Sequence, residues 1–217
     1  MKNFNAAMHR TKEIRMGKIA TSQTEIKDII KAWIAVSLAF GIVQTVSPGN
    51  FLSIFLSKAF YLNFVVSGLT VGIGFLLHEL GHKIVAQRYG CFAEFRSFDN
   101  MLVFAVLMSF FGFVFAAPGA VMISGRVNPR KNGIISAAGP LVNLALAVVF
   151  LPLAFAPSAF LKILGTYGFM INSWLALFNM IPLWLFDGRK VWNWSKSAYF
   201  TIVVIAVFFM YLQRFVH

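Results

Sequence analysis

The chain has 217 residues, of which 59% are hydrophobic and only 12% are charged, and its mean hydropathy is +0.77. Soluble domains carry about 25% charged residues, so this composition excludes a soluble enzyme, a disordered chain and a disulfide scaffold. The net charge of +12 comes from lysines and arginines that flank apolar runs. This pattern is typical of a membrane protein held against anionic lipid headgroups, and it argues against a nucleic acid partner.

Residues 1–28 are polar and basic, and we interpret them as a cytoplasmic, partly helical tail before a membrane domain over residues 29–217. A transmembrane helix needs about 20 predominantly apolar residues. Five runs meet or approach this length, at residues 29–46, 59–90, 132–161, 163–186 and 197–213. The sequence therefore predicts an all-α polytopic protein of the cell membrane, with about five to six transmembrane helices and a cytoplasmic N-terminus.

A further uncharged run, residues 101–125, has basic residues on both sides. These flanking residues are Lys83, Arg88, Arg96, Arg126, Arg130 and Lys131. Lysine and arginine accumulate in cytoplasmic loops, so a single crossing would leave one cluster outside. Pro118 and Gly119 interrupt the run, and non-helical backbone is tolerated at membrane depth where protein covers it. We therefore expect a re-entrant or small β element between the second and third spans.

The sequence HELGH at residues 78–82 fits the H-E-x-x-H pattern. Residues four apart share one face of a helix and lie about 6 Å apart along its axis, so His78 and His82 can bind one Zn²⁺. Glu79 lies off that face, where its carboxylate can take a proton from a water that zinc activates. Two buried structural histidines are the alternative, but ionisable groups within an apolar run are costly and usually functional.

A catalytic zinc requires a third protein ligand and one open coordination position. The downstream candidates are Glu94, Asp99, Asp187 and His217. We interpret Glu94 and Asp99 as solvated surface residues of a polar connector. Asp187 instead ends a long uncharged run, where Pro182 opens the helix and Gly188 permits a turn. A simple helix-ending Asp-Gly turn is the alternative for Asp187.

Three motifs in this order resemble the site-2 protease family of intramembrane zinc metalloproteases. They are H-E-x-x-H at residues 78–82, G-P-L-V-N at residues 139–143, and N-x-x-P-x-x-x-x-D-G at residues 179–188. The resemblance covers a core of about residues 59–190 and suggests a minimal form without a PDZ or regulatory domain. The chain departs from the family pattern at Arg189, where a second glycine is frequent.

The resemblance implies that His78, His82 and Asp187 bind one zinc ion per chain. Glu79 would then be the catalytic base. The expected activity is that of a zinc metalloendopeptidase, which cuts single-span membrane proteins within or near their membrane helix with zinc-activated water. The expected partners are therefore these substrates and the lipid bilayer, with the active site on the cytoplasmic side.

The resemblance also implies that Asn179 contacts the substrate or the oxyanion and that Asn143 lines the site. For Asn143, a role in helix packing beside a close-approach glycine remains equally open. A helical substrate must unwind before cleavage, because its carbonyl groups are bonded within the helix. Strand addition could hold the unwound segment, and residues 92–100 and 120–127 are strand-like candidates for this.

Two other functions remain open. One is a non-peptidase membrane protein that binds or transports a divalent metal, because transporters also place His and Asp at membrane depth. A transporter does not need Glu79 as an acid–base group, and the inverted repeats common in transporters are not evident in this sequence. The other is a different membrane zincin, such as a prenyl-protein endopeptidase, but those families use different downstream ligands from the motif at residues 179–188.

Overall fold

The computed structural model of the protein describes residues 13–16, 19–47, 53–114, 118–183 and 186–216. These residues form mostly helices, together with two small antiparallel sheets. The helices are α1 (Gln23–Val43), α2 (Lys58–Ser67), α3 (Ile73–Arg88), α4 (Asp99–Ser109), α5 (Pro129–Phe150), α6 (Ala159–Asn179), α7 (Asp187–Trp194) and α8 (Lys196–Leu212). The strands are β1 (Glu13–Met16), β2 (Ile19–Ser22), β3 (Phe92–Ser97) and β4 (Gly119–Ser124). The predicted all-α polytopic fold with a small β element is thereby confirmed.

Within the described residues, four helical segments are long and apolar enough to cross a membrane. They are Lys58–Arg88, Pro129–Phe155, Ala159–Asn179 and Lys196–Phe215, and they match four of the five predicted spans. The remaining predicted span, residues 29–46, lies largely in α1. This helix has 21 residues, but its first half carries Glu25, Lys27, Asp28 and Lys31, so it does not belong to the four apolar segments.

The longest segment, Lys58–Arg88, joins α2 and α3 through one π-helical turn at Gly68–Gly72. Trp33 of α1 packs against this turn, and its indole Nε1 donates a hydrogen bond to the carbonyl oxygen of Gly68 at 2.9 Å. A Cβ atom at position 72 would lie 2.9 Å from the Trp33 ring. Glycine at Gly72 therefore lets α1 pack closely against the turn that precedes α3, and π-helical turns are frequent beside functional sites.

Strands β3 and β4 confirm the strand-like segments expected on either side of residues 101–118. They pair antiparallel, with Ser97 opposite Gly119, so the chain leaves the sheet and returns to it at the same end. Helix α4, between the two strands, has 11 residues, which is about 16 Å at 1.5 Å per residue. The hydrocarbon core of a bilayer is about 30 Å thick, so α4 alone is too short to cross it, and we predict that this segment enters and leaves on one side of the membrane.

Residues 19–28 pack against the membrane domain, and the boundary expected after residue 28 falls inside α1. Ser22 caps α1 and accepts a hydrogen bond from the backbone N–H of Glu25. The Glu25 side chain is fully buried; its carboxylate lies 2.5 Å from Lys83 Nζ and accepts the backbone N–H of Phe95 at 2.9 Å. A buried carboxylate is tolerated only with such partners, so Glu25 ties α1 to both α3 and β3.

We predict that cysteines in Arg88→Cys and in Arg126→Cys, each made in a Cys91→Ala background, are labelled from the same side of the membrane. Both positions are exposed, and the β3–β4 pairing brings the two flanks of α4 together. The measurement is labelling by an impermeant thiol reagent in vesicles of known orientation. A cysteine in Ser158→Cys, beyond α5, serves as the opposite-side control. Labelling of positions 88 and 126 from opposite sides would establish a true crossing.

Candidate metal centre

Helix α3 places His78 and His82 on one face, one turn apart, as their spacing predicts. Their Nε2 atoms lie 3.1 Å apart, and their rings are nearly perpendicular at 88°. Both residues are buried. Two imidazole nitrogens therefore converge at a point that is shielded from bulk water.

Asp187 completes a triangle of donor atoms. Its Oδ2 lies 3.3 Å from His78 Nε2 and 3.1 Å from His82 Nε2. Ligand atoms that bind one tetrahedral Zn²⁺ at about 2.0–2.1 Å are separated from one another by about 3.3 Å. The three side chains therefore fit three ligand positions of a catalytic zinc site.

Both histidines are held in the tautomer that a metal requires. His78 Nδ1 donates to Asn143 Oδ1 at 2.6 Å, and His82 Nδ1 donates to the backbone carbonyl oxygen of Ile135 at 2.7 Å. Because each Nδ1 faces an oxygen acceptor, each neutral ring presents the lone pair of Nε2 toward the triangle. Two lone pairs and a carboxylate this close repel one another unless a proton or a metal cation lies between them. The chemistry of the donor set therefore fits a metal, which would replace such a proton.

Asp187 is an anionic donor. Burial alone would raise the pKa of its carboxyl group, but positive charge on His82 and hydrogen bonds from His78 and His82 hold that pKa below its usual value when the rings are protonated. Lys190 Nζ lies 3.6 Å from Asp187 Oδ1 and leaves Oδ2 to face the histidines. A Cβ atom at position 188 would lie 2.2 Å from the carbonyl oxygen of Met180. Gly188 therefore allows the start of α7 to pack on the end of α6.

Helix α5 approaches the triangle through Gly139. A Cβ atom at this position would lie 2.5 Å from Nε2 of both His78 and His82, so only glycine permits this approach. Asn143 lies one turn further along α5, is fully buried and orients His78 through its amide oxygen. The structure thus places Asn143 in contact with a predicted metal ligand as well as in a helix interface.

Glu79 lies beside the triangle, and its nearest carboxylate oxygen is within 4.8 Å of the ligand atoms of His78 and His82. Its Oε2 accepts the backbone N–H of Val121 in β4 at 2.9 Å. Phe95 of β3 is the partner of Val121 in the sheet, and its own N–H points away from β4 toward Glu25. Val121 and Phe95 therefore form a pair without mutual hydrogen bonds, and Glu79 lies at the outer edge of β4.

Asn179 is the last residue of α6. Its Nδ2 donates to the carbonyl oxygen of Leu175 at 2.9 Å. Within the described residues, no hydrogen bond joins Asn179 to the histidine pair. Its contact with the substrate or the oxyanion therefore stays a prediction.

Of the other candidate ligands, Glu94 and Asp99 form contacts away from the histidine pair. Our interpretation of Glu94 as a solvated surface residue is wrong, because Glu94 is buried and contacts Ser22 Oγ and Arg96. Its charge is offset by that arginine, which sequence spacing alone did not reveal. The side chain of Asp99 is 68% exposed and pairs with Lys31. His217 lies outside the described residues.

Sequence reasoning missed Asn172 and the backbone acceptor at Ile135. Asn172 is fully buried in α6, and its Oδ1 accepts a hydrogen bond from Asn143 Nδ2 at 3.0 Å. The only sequence signal was an amide within an apolar span, which is costly to bury alone. A backbone carbonyl such as that of Ile135 leaves no signal in the sequence.

The fold and the site together define a helical membrane protein with a buried cluster of two histidines and one aspartate. The chain is 39% identical to a protein of Methanocaldococcus jannaschii that carries the provisional name of a zinc metalloprotease. The match spans 198 residues, which are 89% of this chain and 96% of the relative. No protein-family model matches the chain, and no solved structure matches it. At this identity and coverage, the chain belongs to the same family of zinc metalloproteases as the archaeal protein.

We predict that Gly139→Ala abolishes zinc binding, because the added methyl group would contact both Nε2 atoms. Leu141→Ala, at an exposed position two residues away on α5, is the control and is expected to bind zinc normally. The measurement is zinc content per chain after equilibration with a chelator, together with a thermal unfolding scan that checks folding. A folded Gly139→Ala protein with full zinc content would show that the ion does not lie between the two histidines.

Proposed function

We propose that this zinc metalloprotease is an intramembrane endopeptidase of the site-2 protease type, which cuts single-span membrane proteins within their transmembrane segment. The observation that carries the proposal is the position of the donor triangle. Two of its members, His78 and His82, lie in a 31-residue apolar segment that is long enough to cross a membrane. The third member, Asp187, is the first residue of α7, the helix that follows another such segment, α6.

The depth of the site supports this proposal. His78 lies ten residues before Arg88, where α3 ends, and Gly139 lies ten residues after Pro129, where α5 begins. At 1.5 Å per residue, each helix places its site residue about 15 Å from that end. The apolar layer of a bilayer is about 30 Å thick, so the site is expected inside the membrane rather than in a soluble domain.

The basic residues near the site support a cytoplasmic opening. Arg88 ends α3, and Arg126, Arg130 and Lys131 flank the start of α5. Loops rich in lysine and arginine are typically cytoplasmic. We therefore propose that water and the unwound substrate reach the site from the cytoplasmic side of the cell membrane.

In the proposed mechanism, His78, His82 and Asp187 would hold one zinc ion per chain. When bound, zinc would supply Lewis acidity, which polarises a substrate carbonyl group and lowers the pKa of water toward 7. Glu79 takes a proton from the attacking water and passes it to the leaving amine. The backbone N–H of Val121 binds Oε2 of Glu79 and keeps the carboxylate at the edge of the site, where it would act as an acid–base group beside the metal ligands.

Asn179 is proposed to donate a hydrogen bond to the developing oxyanion. Its Nδ2 carries two hydrogens, and the bond to Leu175 uses only one of them. A donor directed at the developing negative charge would stabilise the transition state more than the bound substrate.

The outer edge of β4 is proposed to hold the unwound substrate. Alternate residues of a strand direct their backbone groups to the same edge, so Gly119 and Ile123 face outward together with Val121. A peptide added along this edge would run past Glu79, which already bonds to Val121. Pairing with the outer edge of β4 would therefore align the peptide and bring it beside Glu79, the proposed acid–base group.

We predict that Glu79→Gln retains zinc and loses proteolysis. The amide fills the same space and can still bond to the β4 backbone, but it cannot accept the proton of the attacking water. Removal of a general base typically costs about 10²–10⁴-fold in rate. The measurement is cleavage of a panel of single-span proteins by purified enzyme in liposomes, with the zinc content determined in parallel. Turnover close to that of the wild type would make Glu79 structural and would favour a metal carrier.

We predict that Asp187→Ala loses zinc and proteolysis together, because only two protein ligands would remain. Asp99→Ala is the matched control, since this acidic side chain is exposed and pairs with Lys31 outside the site. Changes in ligands or in the groups that orient them cost about 10-fold or more in metal affinity. Zinc retention during competition with a chelator measures this loss. An Asp187→Ala variant that holds zinc as tightly as Asp99→Ala would exclude Asp187 as a ligand.

A further inference from the structure

Three buried side chains form a hydrogen-bonded chain that ends at the candidate metal centre. Asn172 lies on α6, Asn143 on α5 and His78 on α3, and all three are buried. Asn143 Nδ2 donates to Asn172 Oδ1 at 3.0 Å, and His78 Nδ1 donates to Asn143 Oδ1 at 2.6 Å. These hydrogen bonds thus link three helices and end at the imidazole ring whose Nε2 faces the donor triangle.

Every polar atom of Asn143 is used, which fixes the direction of its amide group. One Nδ2 hydrogen is donated to Asn172 Oδ1 and the other to the carbonyl oxygen of Gly74 at 3.1 Å. A reversed amide would place its oxygen against these two acceptors and its NH₂ against His78. Two acceptor oxygens therefore force the Asn143 oxygen toward His78 Nδ1.

The orientation of Asn172 is fixed in turn by its own helix. Its Nδ2 donates to the carbonyl oxygen of Gly168 at 2.9 Å, so its Oδ1 is the atom directed toward Asn143. A Cβ atom at Gly74 would lie 2.5 Å from Asn172 Oδ1, so glycine at this position makes room for the contact. Donor and acceptor directions therefore follow one sense along the whole chain, from Gly168 to His78.

We propose that Asn172 is a positioning residue of the metal centre, which acts on His78 through Asn143. By accepting a hydrogen bond from Asn143, Asn172 keeps the Asn143 oxygen toward His78 and the imidazole hydrogen on Nδ1. Nε2 then stays free to bind the metal. This inference rests on the proposed role of His78 as a zinc ligand. Groups that orient a ligating histidine in this way typically change metal affinity when they are altered.

The test compares two substitutions of similar size. Asn172→Leu removes the acceptor. In Asn172→Asp, burial favours the neutral carboxyl group, whose hydroxyl can donate to the Gly168 carbonyl oxygen while its other oxygen faces Asn143. We expect zinc affinity during chelator competition to fall by about 10-fold in Asn172→Leu and to stay close to wild type in Asn172→Asp. Ser173→Ala controls for general damage to α6, because Ser173 is equally buried and, among the described residues, its side chain bonds only to Phe169 of its own helix. Equal zinc affinity in Asn172→Leu and the wild type would overturn the proposal.

A second readout uses zinc-free protein labelled with ¹⁵N-histidine, and it is independent of zinc binding. The wild type is expected to show a His78 ring that is protonated at Nδ1, and Asn172→Leu a mixture of the two tautomers. An unchanged tautomer in Asn172→Leu would overturn the proposal. If the wild type binds no zinc, the proposed function fails, and the tautomer comparison still decides the role of Asn172.

Gly74→Ala provides a route that leaves Asn172 in place if Asn172→Leu does not fold. The added methyl group would displace Asn172 Oδ1, although alanine favours a helix more than glycine does. We expect the same loss of zinc affinity and the same tautomer mixture as for Asn172→Leu. A folded Gly74→Ala protein with wild-type zinc affinity and a single tautomer would contradict the proposal.

Discussion

The arrangement that the rest of the site depends on is the close contact of three electron-rich atoms inside an apolar helix bundle. The Nε2 atoms of His78 and His82 and the Oδ2 atom of Asp187 lie within 3.3 Å of one another. In a poorly solvated setting, such atoms repel one another unless a proton or a cation lies between them, and a buried carboxylate needs a partner. A proton on one imidazole can fill this role in the metal-free centre, where Asp187 pairs with the ring. A bound metal ion would replace that proton, so the same three atoms define where zinc would bind.

Much of the surrounding structure brings and keeps these atoms together. Small residues let helices approach closely in membranes, and Gly139 and Gly188 do so where α5 and α7 reach the triangle. Backbone and amide oxygens then fix both imidazoles, with Ile135 acting on His82 and Asn143 on His78. The ring orientations are therefore set by helix packing before any metal is bound, which reduces the cost of forming the site.

The β3–β4 sheet connects the centre with the part of the chain that is expected to meet substrate. Its outer edge holds Glu79 through Val121, and its other edge is held by Glu25 through Phe95. Glu25 also pairs with Lys83, which directly follows His82 in α3. Residues near the N-terminus therefore brace both the metal-binding helix and the strand that is proposed to receive the substrate.

Local patterns in the sequence were sufficient to predict the elements of the site but not its connections. The spacing of His78 and His82 predicted a shared helix face, and the pattern around residues 101–125 predicted the small β element that β3 and β4 form. The burial of Glu25 and Glu94 was not predictable, because a charged residue in a polar stretch has the same local pattern whether it is solvated or paired. The same holds for Asn172 and Ile135, whose partners lie far away in sequence and whose contribution depends on helix packing.

The most direct measurement of the central claim is the position of the cleaved peptide bond. Purified enzyme in liposomes would be given single-span proteins, and the new termini would be mapped by mass spectrometry, with a zinc-depleted sample as the blank. A zinc-dependent endopeptidase with a site about 15 Å from the helix ends is expected to produce new termini within the apolar segment. Zinc-dependent cuts confined to the water-exposed flanks of these substrates, or no zinc-dependent cuts at all, would contradict intramembrane proteolysis.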